Sequence, residues 1–141
     1  MPAKGTAEWK GELRSGAGTF SAGDTIHGDF SFRSRFEDGP GANPEQLLAA
    51  AHASCFSMAL SNTLAQAGTP AESVRTDAVV TLRPLDGTPT ITSIALNVVG
   101  VVPGIDEAAF REFAEQTKTG CIVSRALAAV PEVTVEATLE G

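Results

Sequence analysis

Between Asn43 and Gly68 the chain carries one long helical signal that is apolar on more than one side, and no other stretch constrains the fold as strongly. Its ends are legible. The Asn43 side-chain oxygen can cap the first turn, Pro44 suits the first helical position, and Gly68-Thr69-Pro70 closes the run. Between these limits Leu47, Leu48, Phe56, Met58, Leu60, Leu64 and a series of alanines leave no broad charged stripe. Such a helix requires burial on all sides. A chain of 141 residues can cover one side with its own sheet. The remainder calls for a second apolar surface, and a homodimer is its natural supplier. His52, Ser54, Ser57, Ser61, Asn62 and Gln66 interrupt the run, which disfavours a membrane span.

Strands are expected on either side of this helix. Residues 6–14, 17–22 and 26–34 alternate Trp9, Leu13, Phe20, Ile26, Phe30 and Phe32 with polar residues, as a meander of half-exposed strands does, and Asp38-Gly39-Pro40-Gly41 then forces a loop. Residues 74–85 and 90–102 read as a hairpin around Pro84–Pro89. A second helix opens at Asp106, its cap, with Ala109, Phe110, Phe113, Ala114 and Thr117 facing inward, and ends at Gly120. A short third helix over residues 121–130 and a closing strand over 133–139 complete an α+β chain, expected to form a single domain spanning residues 1–141.

Charge and subtraction narrow the chemistry. A formal charge of −7 repels phosphate backbones and anionic lipid, so neither nucleic acid nor a membrane is an expected partner. Lys4, Glu8, Lys10, Glu12 and Arg14 break up the first residues, leaving no apolar export signal, and the expected compartment is the cytoplasm. His27 and His52 are the only histidines, there is no Cys-x-x-Cys, and the glycines form neither a phosphate loop nor a dinucleotide fingerprint. No metal or cofactor is expected. What remains is a pair of thiols, Cys55 within the long helix and Cys121 sixty-six residues downstream. In a reducing compartment a transient disulfide between them is favoured over a permanent one. A free cysteine is also a common small core residue, and from the residues alone both readings of Cys55 stand.

The run Asn43-Pro44-Glu45-Gln46-Leu47-Leu48-Ala49-Ala50-Ala51-His52-Ala53-Ser54-Cys55-Phe56-Ser57-Met58-Ala59-Leu60, the helix start Val102-Pro103-Gly104-Ile105-Asp106 and the motif Gly120-Cys121-x-Val123-Ser124 together resemble the OsmC/Ohr family of organic hydroperoxide reductases, in its OsmC branch. Trp9, Gly18-Thr19 and Arg35-Phe36-Glu37 extend the likeness over essentially the whole chain. Ile122 stands where the family has proline after its second cysteine. The resemblance implies an OsmC-like α+β fold in which antiparallel or mixed sheets wrap two long central helices of an intertwined homodimer, with active sites at the subunit interface. It also implies a thiol peroxidase of oxidative and osmotic stress defence. Cys55 would be oxidised by an organic hydroperoxide and resolved by Cys121, and a dithiol would restore both, lipoylated proteins or another small dithiol serving as reductant.

An ordinary thiol, with a pKa of ~8.5, is only a few per cent ionised at pH 7, so the nucleophile needs a nearby cation. Cys55 lies twelve residues beyond Asn43, outside the first turn over which a helix dipole acts. By resemblance the cation is Arg35, held by Glu45 through a bidentate pair. Arg14 and Arg33 compete with it, Arg14 because the Ohr branch draws its arginine from that earlier region. Glu45 stands about 15 Å from Cys55 along a continuous helix of ~1.5 Å rise per residue. It must therefore serve a partner's thiol, unless the helix breaks. His52, three residues before Cys55, is either a base for that thiol or a helix histidine satisfied by packing. Phe36, Phe56 and Met58 are candidate walls for an apolar substrate. The competing reading of the whole chain is a non-catalytic dimeric stress protein or small-ligand carrier with an apolar interface cavity.

Overall fold

The computed structural model describes residues 1–141. In chain order the elements are β1 Gly5–Lys10, β2 Ala17–Ala22, β3 Ile26–Phe30, α1 Phe32–Phe36, α2 Pro44–Gln66, β4 Ser73–Leu85, β5 Thr88–Val101, α3 Glu107–Gly120, α4 Ile122–Ala126 and β6 Glu132–Leu139. The strands form two three-stranded sheets, β1-β2-β3 and β4-β5-β6, giving the expected α+β class. Two compact units divide the chain, Met1–Leu47 and Leu48–Gly141.

In the first unit the antiparallel register sets Trp9, Gly18 and Phe30 in one row. The Trp9 and Phe30 rings lie 5.5 Å apart, and a Cβ at residue 18 would come within 2.5 Å of Phe30 ring carbons, so only glycine fits beneath them. Two strands end earlier than expected. β1 stops at Lys10 because Gly11 turns the chain at φ +94°, a turn fastened by the Trp9 indole N–H donating to the Gly11 carbonyl at 3.0 Å. β3 stops at Phe30, and residues 32–36, expected to be strand and loop, are helix α1. A capping box makes the difference: the Ser34 N–H donates to Ser31 Oγ at 3.1 Å, and the Ser31 N–H to Ser34 Oγ at 2.8 Å. The glycine-proline loop follows where expected, with Gly41 at φ +109°.

Both ends of α2 follow their side-chain signals. Asn43 Oδ1 accepts the Gln46 N–H at 2.8 Å, and Gln46 Oε1 accepts the Asn43 N–H at 3.2 Å. At the far end Gly68 takes φ +85°, and the N–H groups of Thr69 and Gly68 donate to the carbonyls of Leu64 and Ala65, as a left-handed glycine stop requires.

In the second unit the β4–β5 hairpin closes on Asp86-Gly87, both at positive φ, and β6 adds in parallel to β5. The pairing builds rows across the sheet, Val80–Ile94–Val133, Ala78–Leu96–Val135 and Thr76–Val98–Ala137, all on one face. α3 and α2 pack their apolar residues into the core on this face. Phe110 of α3 lies over Gly100 so closely that a Cβ there would stand 2.4 Å from the ring. From α2, His52, Phe56, Leu60 and Leu64, four residues apart, are fully buried, and the Ser57 and Thr76 hydroxyls share a hydrogen bond of 2.8 Å. Only this one face of α2 is covered within the chain, for Met58 on another face is 75% exposed. α4 is shorter than expected, because after Ala126 the bonds from Ala128 N–H to Arg125 and from Val130 N–H to Leu127 tighten the chain into turns before Pro131. Ile122 occupies the first position of α4 with its side chain in solvent, a place where proline and other residues are equally accommodated.

Candidate functional site

Arg35 is placed by the contacts that fasten α1 to the start of α2. Ser34 Oγ donates to the Ala42 carbonyl at 2.7 Å, and Asn43 Nδ2 donates to the Ser34 carbonyl at 3.0 Å. Arg35, the next residue of α1, then donates from both Nε and Nη2 to one oxygen, Oε1 of Glu45, at 3.1 and 2.8 Å. The expected pairing is present, but on a single carboxylate oxygen where a two-oxygen fork was anticipated. Glu45 is buried and sits in the first turn of α2, where the helix dipole also favours its charge, whereas the Arg35 side chain stays 39% exposed. That combination gives a cation of fixed position whose outer edge can still meet a ligand. Arg14 has no such anchor: its guanidinium lies 4.6 Å from the Phe32 ring centre. A cleft of about 450 Å³ runs past Trp9, Leu13, Phe32 and Phe36 with Arg35 at its margin. Of the three apolar residues expected to face a substrate, Phe36 lines this cleft, Phe56 is core, and Met58 lies in solvent.

The thiols belong to the second unit, where the fold brings them together. Cys121 is the hinge residue between α3 and α4, its N–H donating to the Thr117 carbonyl at 2.9 Å, and it is fully buried. Cys55, half-buried, packs against the same core. Both are free thiols. Burial pushes the Cys121 thiol up, but the donors around it more than offset this: first the Ser124 N–H and hydroxyl, then Cys55 and the Val123 N–H, which together hold it below the ordinary thiol range. Its side chain forms no regular capping bond to α4, so the N–H groups act on the sulfur as close dipoles.

His52 does not act as an isolated core residue. Its Nε2 lies 2.6 Å from Ser124 Oγ, joining α2 to α4, while its Nδ1 is buried without a partner. Burial lowers its pKa, so the imidazole is neutral near pH 7. Ser124, unassigned by the residue-level reading, had a signal in the Gly120-Cys121-x-Val123-Ser124 motif: three residues past a helix-starting cysteine, its N–H and hydroxyl dipoles lower that thiol's pKa. Chemically, a reachable thiol and a buried thiol of lowered pKa packed in one core are a pair suited to forming and breaking a disulfide.

The family model described as OsmC-like protein matches residues 37–136. The chain is 43% identical over 140 residues to the peroxiredoxin OsmC of Escherichia coli K12, covering 98% of this chain and 96% of that one. Among solved structures it is similar to the organic hydroperoxide resistance protein OhrB of Bacillus subtilis, with a TM-score of 0.71 and 24% identity over 99% of this chain and 98% of that one. An OsmC-like protein of Vibrio cholerae superposes with a TM-score of 0.76 at 18% identity, over 98% and 99% of the two chains. With the fold, the two cysteine motifs and these relatives in agreement, the chain belongs to the OsmC family.

Proposed function

We propose that the protein is a cysteine-based peroxidase that reduces organic hydroperoxides in the cytoplasm, with Cys55 as nucleophile and Cys121 as resolving thiol. One observation carries this reading: two cysteines sixty-six residues apart in sequence pack into one core, one of them reachable and the other fully buried. The Cys55 thiolate attacks the outer oxygen of the hydroperoxide, the O–O bond breaks, and the alkoxide leaves and takes up a proton as the alcohol. Cys55 is then a sulfenic acid. Cys121 attacks its sulfur, forming the disulfide and releasing water, and a dithiol reductant returns both thiols while being oxidised to its own disulfide. The apolar cleft beside Arg35 suits an organic substituent, and a guanidinium is the group that would stabilise both thiolate and departing alkoxide.

Counting thiols tests the reaction directly. One equivalent of cumene hydroperoxide should remove both thiols from each chain, and dithiol treatment should restore both. If none is lost, the protein is a carrier using its apolar surface for binding.

The active form is proposed to be a homodimer. The exposed Met58 and Leu47 of α2 support it, since an apolar helix covered on one face needs a second surface. α2 is unbroken from Pro44 to Gln66, so Glu45 and Cys55 of one chain stand on the order of 15 Å apart along its axis. Arg35 and Glu45 are therefore assigned to the partner's Cys55. In purified heterodimers joining an Arg35→Ala chain to a Cys55→Ser chain, one of two composite sites is intact, and about half the native activity is expected. Sites built within single chains would leave both defective, and such heterodimers would be no more active than the variants.

A further inference from the structure

Buried His52 and half-buried Ser124 are the polar pair that the peroxidase reading leaves unused, and they lead toward the resolving thiol. A fully buried histidine in an apolar stripe of Phe56, Leu60 and Leu64 is a costly choice unless its polar atoms serve some end. One of them does: Nε2 meets Ser124 Oγ at 2.6 Å. The other, Nδ1, has no partner. A buried N–H left unpaired is rarer in proteins than an acceptor left unpaired, so the proton belongs on Nε2 and the bare lone pair on Nδ1. With Nε2–H donating to Ser124 Oγ, the serine proton is free to point onward, and Ser124 stands three residues past Cys121, whose thiol pKa it holds down.

Resting on the assignment of Cys121 as resolving thiol, we propose that His52 is a positioning residue that holds the Ser124 hydroxyl as a donor to the Cys121 sulfur, readying that sulfur for attack on the Cys55 sulfenic acid. The chain of hydrogen bonds runs one way, from imidazole N–H to serine oxygen and from serine O–H to sulfur. In the attack the Cys121 sulfur forms the S–S bond, the S–O bond of Cys55 breaks, and the departing hydroxide joins the proton given up by Cys121 to leave as water. When the dithiol later reduces the disulfide, the same donor stabilises Cys121 as a leaving group. Besides Ser124, only the Cys55 thiol and the Val123 N–H act on this sulfur, and Arg125, the charged residue of α4, faces solvent.

Two measurements on the full-length protein test this. In a Cys55→Ser background Cys121 is the only thiol, and its ionisation is followed by ultraviolet thiolate absorbance against pH. Adding Ser124→Ala should raise the titration midpoint by about one pH unit, the size of a hydrogen bond to a charged group, with His52→Gln in the same direction and Ser124→Thr restoring the native value. In the two-cysteine protein, stopped-flow after a peroxide pulse should show disulfide formation slowed about threefold relative to sulfenic acid formation in Ser124→Ala, the loss of thiolate being partly returned by higher intrinsic nucleophilicity. An unchanged midpoint together with an unchanged ratio of the two rates would overturn the proposal and leave His52 a packing residue. Ser124 is half-buried and alanine is a strong helix former, so this variant keeps the test open even where a His52 variant fails to fold. The titration requires no peroxidase activity. It therefore judges the relay separately from the peroxidase reading, which fails if the native protein loses no thiols to peroxide.

Discussion

Cys55→Ser protein is expected to consume organic hydroperoxide no faster than the uncatalysed background, while its remaining thiol, Cys121, survives the exposure. The reason lies in access rather than in ionisation. Cys121 is the thiol held below the ordinary range, and on that ground alone it would be the better nucleophile. But lowering a thiol pKa by one raises the thiolate fraction at most ~10-fold, and the accompanying loss of intrinsic nucleophilicity cancels roughly half of that gain on a logarithmic scale. Full burial acts without such a ceiling, because a hydroperoxide that cannot reach the sulfur does not react at all, and Cys121 is fully buried whereas Cys55 is not. Following peroxide by a coupled assay and the surviving thiol by titration checks both halves. Rapid oxidation of Cys121 in the absence of Cys55 would exchange the two roles.

What the sequence disclosed and what it withheld divide along the range of the interactions. The ends of α2 were legible because a cap is a local event: Asn43 bonds a residue three positions on, and the Gly68 stop uses carbonyls within five. α1 was misread because Phe32 and Phe36 continued an apolar alternation, while the capping box between Ser31 and Ser34, equally local, carries serine where the usual signature has a glutamate or glutamine. The rows of the second sheet follow from period-two alternation in β5, but nothing in the composition shows that β6 joins it in parallel. The Arg35–Glu45 pair came from resemblance, and local bonds among Ser34, Ala42 and Asn43 explain how the loop between α1 and α2 delivers it. His52 was seen only as a neighbour of Cys55 on its own helix. Its actual partner lies seventy-two residues away, a distance at which only packing, and no spacing rule, decides the contact.

Cys121→Ser should separate the two halves of the cycle. The first equivalent of hydroperoxide is still reduced, since Cys55 keeps its exposure and the serine hydroxyl can still donate to it. Without a neighbouring sulfur the sulfenic acid has no intramolecular thiol to condense with, so no disulfide forms within the chain and catalytic turnover is lost. Excess peroxide should then carry Cys55 onward to the sulfinic acid, a step that ordinary dithiols do not reverse. Intact-mass measurement after one equivalent and after excess should find one added oxygen and then two, whereas the native protein should show only the loss of two hydrogens. The buried position of Cys121 sharpens the expectation: it packs in the same core as Cys55 before oxidation begins, so the native disulfide should form faster than a second peroxide molecule arrives. Sustained turnover of Cys121→Ser at the native rate would mean that the external dithiol reduces the sulfenic acid directly, and the packing of the two thiols into one core would then be structural only.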